Sequence, residues 1–274
     1  MQTISVQGLV KRYGGRSVVN HVDLKVSGSE IVGLLGPNGA GKTTTFNMIV
    51  GIIRPTEGRI YYNDVDITEL PMYKRARLGV GYLAQEASVF RKLTVQENLM
   101  GILETMPLNK RERRARLATI LDELGLEHLV DSPAYTLSGG ERRRVEIARA
   151  MVTEPKFILL DEPFSGVDPK AVEDLQAIIR QLQRKGIGIL ITDHSVRETL
   201  TVTDRSYIIH EGKVMVSGTA LELINDSRAR DLYFGEGFYM RIDGDVEGGP
   251  STRSNKANAE VEVAAASKNQ SEEQ

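Results

Sequence analysis

Apolar positions along this chain follow two rhythms. Near the start, Ile4, Val6 and Leu9 fall at close to every second place, and Val22-Asp23-Leu24-Lys25-Val26 alternates strictly. A period of two buries one face of a strand and wets the other, so the region predicts half-buried strands. Residues 11–16, Lys11-Arg12-Tyr13-Gly14-Gly15-Arg16, read as the turn between them. After the turn Gly28-Ser29, the run Glu30-Ile31-Val32-Gly33-Leu34-Leu35 is continuously apolar past its first residue, as are residues 157–160 and 188–191. Unbroken apolar runs of this length predict strands covered on both faces, as in an α/β core. Asn63-Asp64 and Glu211-Gly212 each sit between strand-like runs and predict hairpins.

The second rhythm is helical. From about residue 94 to 129, Val95, Leu99, Ile102 and Leu103, then Leu117, Ile120, Leu121 and Leu124, recur at three- and four-residue steps. No strand signal interrupts them, which predicts a helical subdomain, about residues 90–150, inserted into the α/β core. Its charged cluster Lys110-Arg111-Glu112-Arg113-Arg114 reads as a solvated helix face, with a partner-binding or lipid-facing role as the alternative. Further helices are predicted at about 42–50, 141–152 and 170–185, and after Ser195. From about residue 241 the chain turns into a polar tail, and beyond Gly244 it has no aromatic residue. Such a segment buries too little surface to offset its ordering entropy, which predicts disorder over 241–274.

Composition narrows the function without naming it. The 274 residues carry 35 Lys+Arg against 37 Asp+Glu, a formal charge of −2, which gives no electrostatic case for nucleic acid as the main partner. With no cysteine, disulfide scaffolds and Cys-ligated metal sites are excluded. The first residues lack a basic and then apolar leader, and no apolar run approaches the roughly 20 residues that span a bilayer. Membrane contact is therefore expected only through partners.

Chemistry concentrates in three motifs. Gly36-Pro37-Asn38-Gly39-Ala40-Gly41-Lys42-Thr43 fits G-x-x-x-x-G-K-[ST] and stands between a buried strand and a helix, the context that motif requires. Glycines let backbone N–H groups turn around a phosphate chain, and the helix N-terminus adds its positive dipole end. Lys42 can neutralise the β- and γ-phosphates and the Thr43 hydroxyl can ligate Mg²⁺. Next, the apolar strand of residues 157–160 ends in Asp161-Glu162. Asp161 there can hold Mg²⁺ through water, and Glu162 can polarise the water that attacks the γ-phosphate. Third is Leu137-Ser138-Gly139-Gly140-Glu141, which opens a helix some twenty residues before Asp161. Alone it is a serine cap on a glycine-rich turn; Ser138, Gly139 and Gly140 could equally form a second phosphate-binding surface.

In this order and spacing the three motifs resemble the nucleotide-binding subunits of ABC transporters, with Glu141 where their signature has Gln. The resemblance covers roughly residues 3–240 and implies a P-loop ABC cassette: a RecA-like core, an N-terminal antiparallel β subdomain and the inserted helical subdomain. It also implies ATP and Mg²⁺ as ligands. By resemblance Tyr13 stacks on adenine, Thr44 joins residues 36–43 around the nucleotide, and Gln85 contacts Mg²⁺ and senses the γ-phosphate. His194 matches the switch histidine that orients the attacking water, and Asp168 lies in the loop that crosses the dimer seam beside Glu162. A homodimer that sandwiches ATP follows, peripheral on the cytoplasmic face of the inner membrane and docked on permease subunits. Phe90, an aromatic in a polar stretch, is the candidate contact for a permease coupling helix; ordinary core packing is its alternative. His21, His128 and His210 match nothing functional. Tyr233-Phe234-Gly235-Glu236-Gly237-Phe238, the variant signature and residues 88–93 are most similar to ATPases of lipopolysaccharide export. Importers of branched-chain amino acids or urea are the alternative, with a soluble ABC ATPase or a non-hydrolysing regulator further off.

Overall fold

The computed structural model describes residues 2–235, 237, 238 and 240; the expected disordered tail from residue 241 onward lies outside the described residues. Four strands, β1 (Thr3–Tyr13), β2 (Arg16–Ser27), β4 (Glu57–Tyr62) and β5 (Val65–Asp66), form an antiparallel sheet in the order β2-β1-β4-β5. Its inward positions Ile4, Val6, Leu24, Val26 and Ile60 are buried, as their alternation requires. The turn expected over residues 11–16 is shorter than predicted. Lys11, Arg12 and Tyr13 stay paired with Val19, Ser17 and Arg16, so Gly14-Gly15 alone makes the connection.

The second sheet has six strands in the order β10-β9-β3-β8-β7-β6. They are β3 (Ile31–Leu35), β6 (Val80–Leu83), β7 (Phe157–Asp161), β8 (Gly188–Thr192), β9 (Arg205–His210) and β10 (Lys213–Gly218). All neighbours run parallel except β9 and β10, which form the predicted Glu211-Gly212 hairpin. Strands β3, β7 and β8 are buried at every residue, which accounts for their unbroken apolar runs.

Helix α1 (Lys42–Val50) follows β3, and a short α2 (Met72–Arg77), unmarked by any clear period, precedes β6. The inserted region holds α3 (Val95–Leu103) and α4 (Lys110–Glu123), each opened by a complete capping box, at Thr94/Glu97 and Asn109/Glu112. Lys110, Arg111 and Arg114 of the basic cluster are exposed. Helix α5 (Gly139–Met151) returns to the core, followed by α6 (Pro169–Arg184), α7 (Val196–Val202) and α8 (Ala220–Asn225). Two ion pairs tie α4 to turns of the core, Arg116–Glu154 at 2.9 Å and Lys185–Glu123 at 2.6 Å. No helix among the described residues is long and apolar enough to cross a membrane.

Candidate functional site at the carboxyl edge of the parallel sheet

Parallel strands deliver whatever follows them to one edge, and open α/β sheets bind ligands outside that edge. Here β3 leads into residues 36–43, β6 into Gln85, β7 ends in Asp161 and leads into Glu162, and β8 leads to His194. Gln85 Nε2 donates to Glu162 Oε2 at 2.8 Å. His194 Nδ1 stands 3.4 Å from the same oxygen. Three side chains separated by up to 109 positions (194 − 85) thus meet on one carboxylate.

Glu162 is held in an unusual backbone. Its φ is +46°, the left-handed region that non-glycine residues seldom enter, and its N–H donates to Thr192 O at 2.7 Å. Such conformations cost about 1–3 kcal/mol and persist where surrounding structure enforces them. The enforcement comes from α5. Arg143, almost wholly buried, donates from Nη2 to Asp161 O (2.8 Å) and Glu162 O (3.0 Å), and from Nη1 to Ala84 O (2.9 Å) and Glu146 Oε2 (2.8 Å). Glu146 Oε1 accepts from Ser88 N at 2.8 Å. One buried ion pair therefore binds the strand end that carries the two carboxylates to the loop that carries Gln85. Beneath His194, Asp193 is fully buried and accepts from Phe164 N and Ser195 N. Sequence reasoning missed Arg143, Glu146 and Asp193. Their one trace was charge inside an otherwise apolar helix stripe or directly after a buried strand.

The phosphate loop is shaped to receive an anion. Helix α1 starts at Gly41 with no side-chain cap, so its first N–H groups remain open toward the loop. Gly41 has φ +100°, and a Cβ there would stand 2.6 Å from Val18 O on β2. Lys42 Nζ lies across the loop and donates to Gly36 O (2.6 Å) and Pro37 O (3.0 Å). Burial lowers the pKa of Lys42, and Glu162 acts in the opposite direction. Asp161 is 4% exposed, and burial together with the Glu162 charge pushes its pKa up to about 6. A carboxylate so burdened with negative charge suits a hard cation. The available donors, Thr43 hydroxyl, Gln85 amide oxygen and Asp161 carboxylate, are all oxygen. Among the described residues no cluster of three or more acidic or histidine side chains could hold a metal alone. Mg²⁺ commonly binds this way, through one or two protein groups plus substrate phosphates.

Other expected residues stand apart. Tyr13, half exposed at the end of β1, has the Lys11 ammonium 5.1 Å from its ring centroid. Ser138 and Gly139 are exposed; Gly140 is buried, and a Cβ on it would come within 2.5 Å of Ala171 Cβ. No hydrogen bond among the described residues joins 137–141 to 36–44. The residue that replaces Gln in the signature completes a capping box, a role Gln would also fill: Glu141 Oε2 accepts from Ser138 N at 2.8 Å, and Ser138 Oγ accepts from Glu141 N. Asp168 is exposed and caps α6 by accepting from Ala171 N. Phe90 is 58% exposed, which removes core packing as its role, and the Arg149 guanidinium lies 4.9 Å from its ring centroid.

A strand–loop–helix phosphate cradle, a carboxylate pair two strands away beyond β8, and a capped glycine turn that lies between them in sequence are found together with a family profile, described as ABC transporter, that matches residues 19–165. The chain belongs to the ABC transporter ATP-binding family. Among curated relatives, the lipopolysaccharide export system ATP-binding protein LptB of Acidithiobacillus ferridurans is 52% identical over 87% of this chain and 99% of its own length. LptB of Escherichia coli K12 is 53% identical over 88% of this chain and its own full length. An uncharacterised ABC transporter ATP-binding protein of Rhizobium meliloti is 55% identical over 87% of this chain and 88% of its own. Among solved structures, the ADP conformation of MJ1267, an ATP-binding cassette of an ABC transporter, superposes with a TM-score of 0.77 at 30% identity, over 86% of this chain and all of that one. As a member of the ABC family, this chain is an ATPase coupled to transport.

Proposed function

We propose that this ABC ATPase powers lipopolysaccharide export, and that two copies close around two ATP molecules. Each nucleotide is clasped between residues 36–43 of one copy and residues 138–140 of the other. The convergence of Gln85 and His194 on the Glu162 carboxylate carries the catalytic half of this reading. The cargo is supported by relatives named for lipopolysaccharide export that this chain matches over 99–100% of their length. The dimer is supported by a solved cassette pair, the dimeric post-hydrolysis state of MJ0796 bound to ADP and Pi, at 25% identity and a TM-score of 0.69 over 79% of this chain and 98% of that one.

In this reading Lys42 neutralises the β- and γ-phosphates, Thr44 adds a contact, and Tyr13 stacks on adenine. Thr43, Asp161 and Gln85 hold Mg²⁺, which offsets phosphate charge when bound. Glu162 takes the proton of the attacking water, and His194 orients that water and hydrogen-bonds the γ-phosphate. The Ser138 oxygen already accepts from its own helix, so its hydroxyl proton is free to be donated to the partner's nucleotide. Asp168 lies at the seam between copies. ATP binds the closed pair better than the open one, the differential affinity that shifting a two-state equilibrium requires, and hydrolysis reopens it. Residues 1–240 form the ATPase domain, with the helical subdomain at about 90–150. Phe90 meets a permease coupling helix, and the subunit works peripherally on the cytoplasmic face of the inner membrane.

The test is purification of the native complex from membranes, partner identification, and reconstitution into liposomes carrying lipopolysaccharide. ATP-dependent extraction of lipopolysaccharide is expected. Co-purification of amino-acid or urea permeases instead would overturn the cargo. Phe90→Ala should fold and hydrolyse ATP in isolation but lose membrane partners; unchanged assembly would remove Phe90 from the interface.

A further inference from the structure

Helix α1 is fastened at both ends, and only one end belongs to the nucleotide site. The other meets Arg75 of α2, which is 1% exposed and the largest fully buried side chain among the described residues. Nη1 donates to Met48 O (2.7 Å) and Ile49 O (2.6 Å), carbonyls of the last turn of α1. Nε donates to Leu70 O (2.8 Å) and Nη2 to Thr68 O (2.9 Å), both in the segment leading into α2. Every hydrogen bond of this cation goes to a backbone carbonyl. Burial lowers its pKa to about 10, against the opposite pull of Asp66 and Glu69, so it stays charged at neutral pH.

A buried guanidinium without a carboxylate on it is costly, and the negative end of the α1 dipole is what faces it. The joint is also tight. Gly51, directly after α1, has φ +91°, and a Cβ there would stand 2.8 Å from Arg75 Nε and 3.0 Å from Met72 N. Between this joint and the phosphate loop runs a nine-residue helix, a rod of about 13 Å. The direction of a short rod depends on how each end is held, and at the end opposite Arg75 stand Lys42 and Thr43.

We propose that Arg75 is a positioning residue for nucleotide binding: its grip on the last carbonyls of α1 sets the angle of that helix and therefore where Lys42 Nζ and the Thr43 hydroxyl stand. The inference rests on the reading of those two residues as phosphate and metal ligands. Misplacement of binding groups by an ångström is enough to weaken a site that depends on alignment. A purely structural Arg75 would change the melting temperature and leave the affinity of the folded protein alone.

ATP affinity of the full chain is measured by calorimetry, at a temperature where circular dichroism shows each variant folded. Arg75→Met should bind ATP about tenfold more weakly. Arg75→Lys should fall between, because an ammonium lacks the planar fork that serves four carbonyls. Gly51→Ala, which drives a methyl against the same guanidinium, should weaken binding in the same direction, and it joins Arg75→Lys as the test if Arg75→Met does not fold. Affinity within about twofold of wild type in the folded variants overturns the proposal. Lys42→Ala is run alongside: wild-type affinity there sinks the phosphate-loop reading, whereas loss there with unchanged Arg75 variants sinks only the role of Arg75.

Discussion

Two glycine-bearing turns open helices in this protein, and their N-termini are finished in opposite ways. At α1 the cap is Gly41, no side chain satisfies the first N–H groups, and a lysine follows at once. At α5 the cap is Ser138, and its exchange of hydrogen bonds with Glu141 satisfies the N–H groups of those two residues and leaves a carboxylate there. Hydrogen bonding to Ser138 holds the Glu141 pKa below the usual range, so that carboxylate stays ionised. The first turn is unfinished and cationic, able to take up a phosphate chain by itself. The second is partly satisfied by its own cap and has a carboxylate in its first turn, so it holds a free anion less well than the first. It can contribute only to a nucleotide whose charge is already offset, and that is the physical case for a pocket completed by a second copy.

Breaking the first turn should have the largest consequences. Lys42→Ala should abolish ATP binding in calorimetry, and with it turnover. Glu162→Gln should lower phosphate release by about 10²–10⁴-fold while ATP still closes the pair, seen as a nucleotide-dependent dimer in size-exclusion chromatography. Robust turnover in that variant would remove Glu162 as the base. Ser138→Ala separates the two turns. It should cost about 1 kcal/mol of stability through the lost cap and reduce ATP-driven dimerisation, with ATP affinity of the monomer unchanged.

Asp161 supplies a stability test of the same edge. A carboxyl whose pKa is raised from 3.8 to about 6 in the fold is ionised first in the unfolded chain. It therefore favours the nucleotide-free fold below pH 4, and that advantage is lost as pH rises through about 6. Asp161→Asn should raise the melting temperature of the nucleotide-free protein at neutral pH, by an equivalent of roughly 1–3 kcal/mol, while abolishing Mg²⁺-dependent turnover. An unchanged or lowered melting temperature would contradict the burden ascribed to this group. Smallest of all, Glu141→Gln preserves the capping geometry and should shift stability within about 0.5 kcal/mol in thermal unfolding. A larger loss would show that the charge at α5, and not only its hydrogen bonds, matters.

The chain's periodicities and motif order were legible without coordinates, because each arises within a few residues. The period of two gave β1 and β2, unbroken apolar runs gave β3, β7 and β8, and the G-x-x-x-x-G-K-T spacing located α1 to the residue. Short α2 and α8 escaped because six residues hold too little period to read. What the sequence determined by itself is therefore local: which segments are buried, where helices begin, and which side chains stand after which strand. Only the tertiary structure decided that Gln85 and His194 share one oxygen of Glu162, that Arg143 ties Ala84 to Asp161 and Glu162, and that Arg75 grips α1. Those contacts depend on strand order and on backbone carbonyls brought together from distant segments, and a carbonyl has no letter in the sequence.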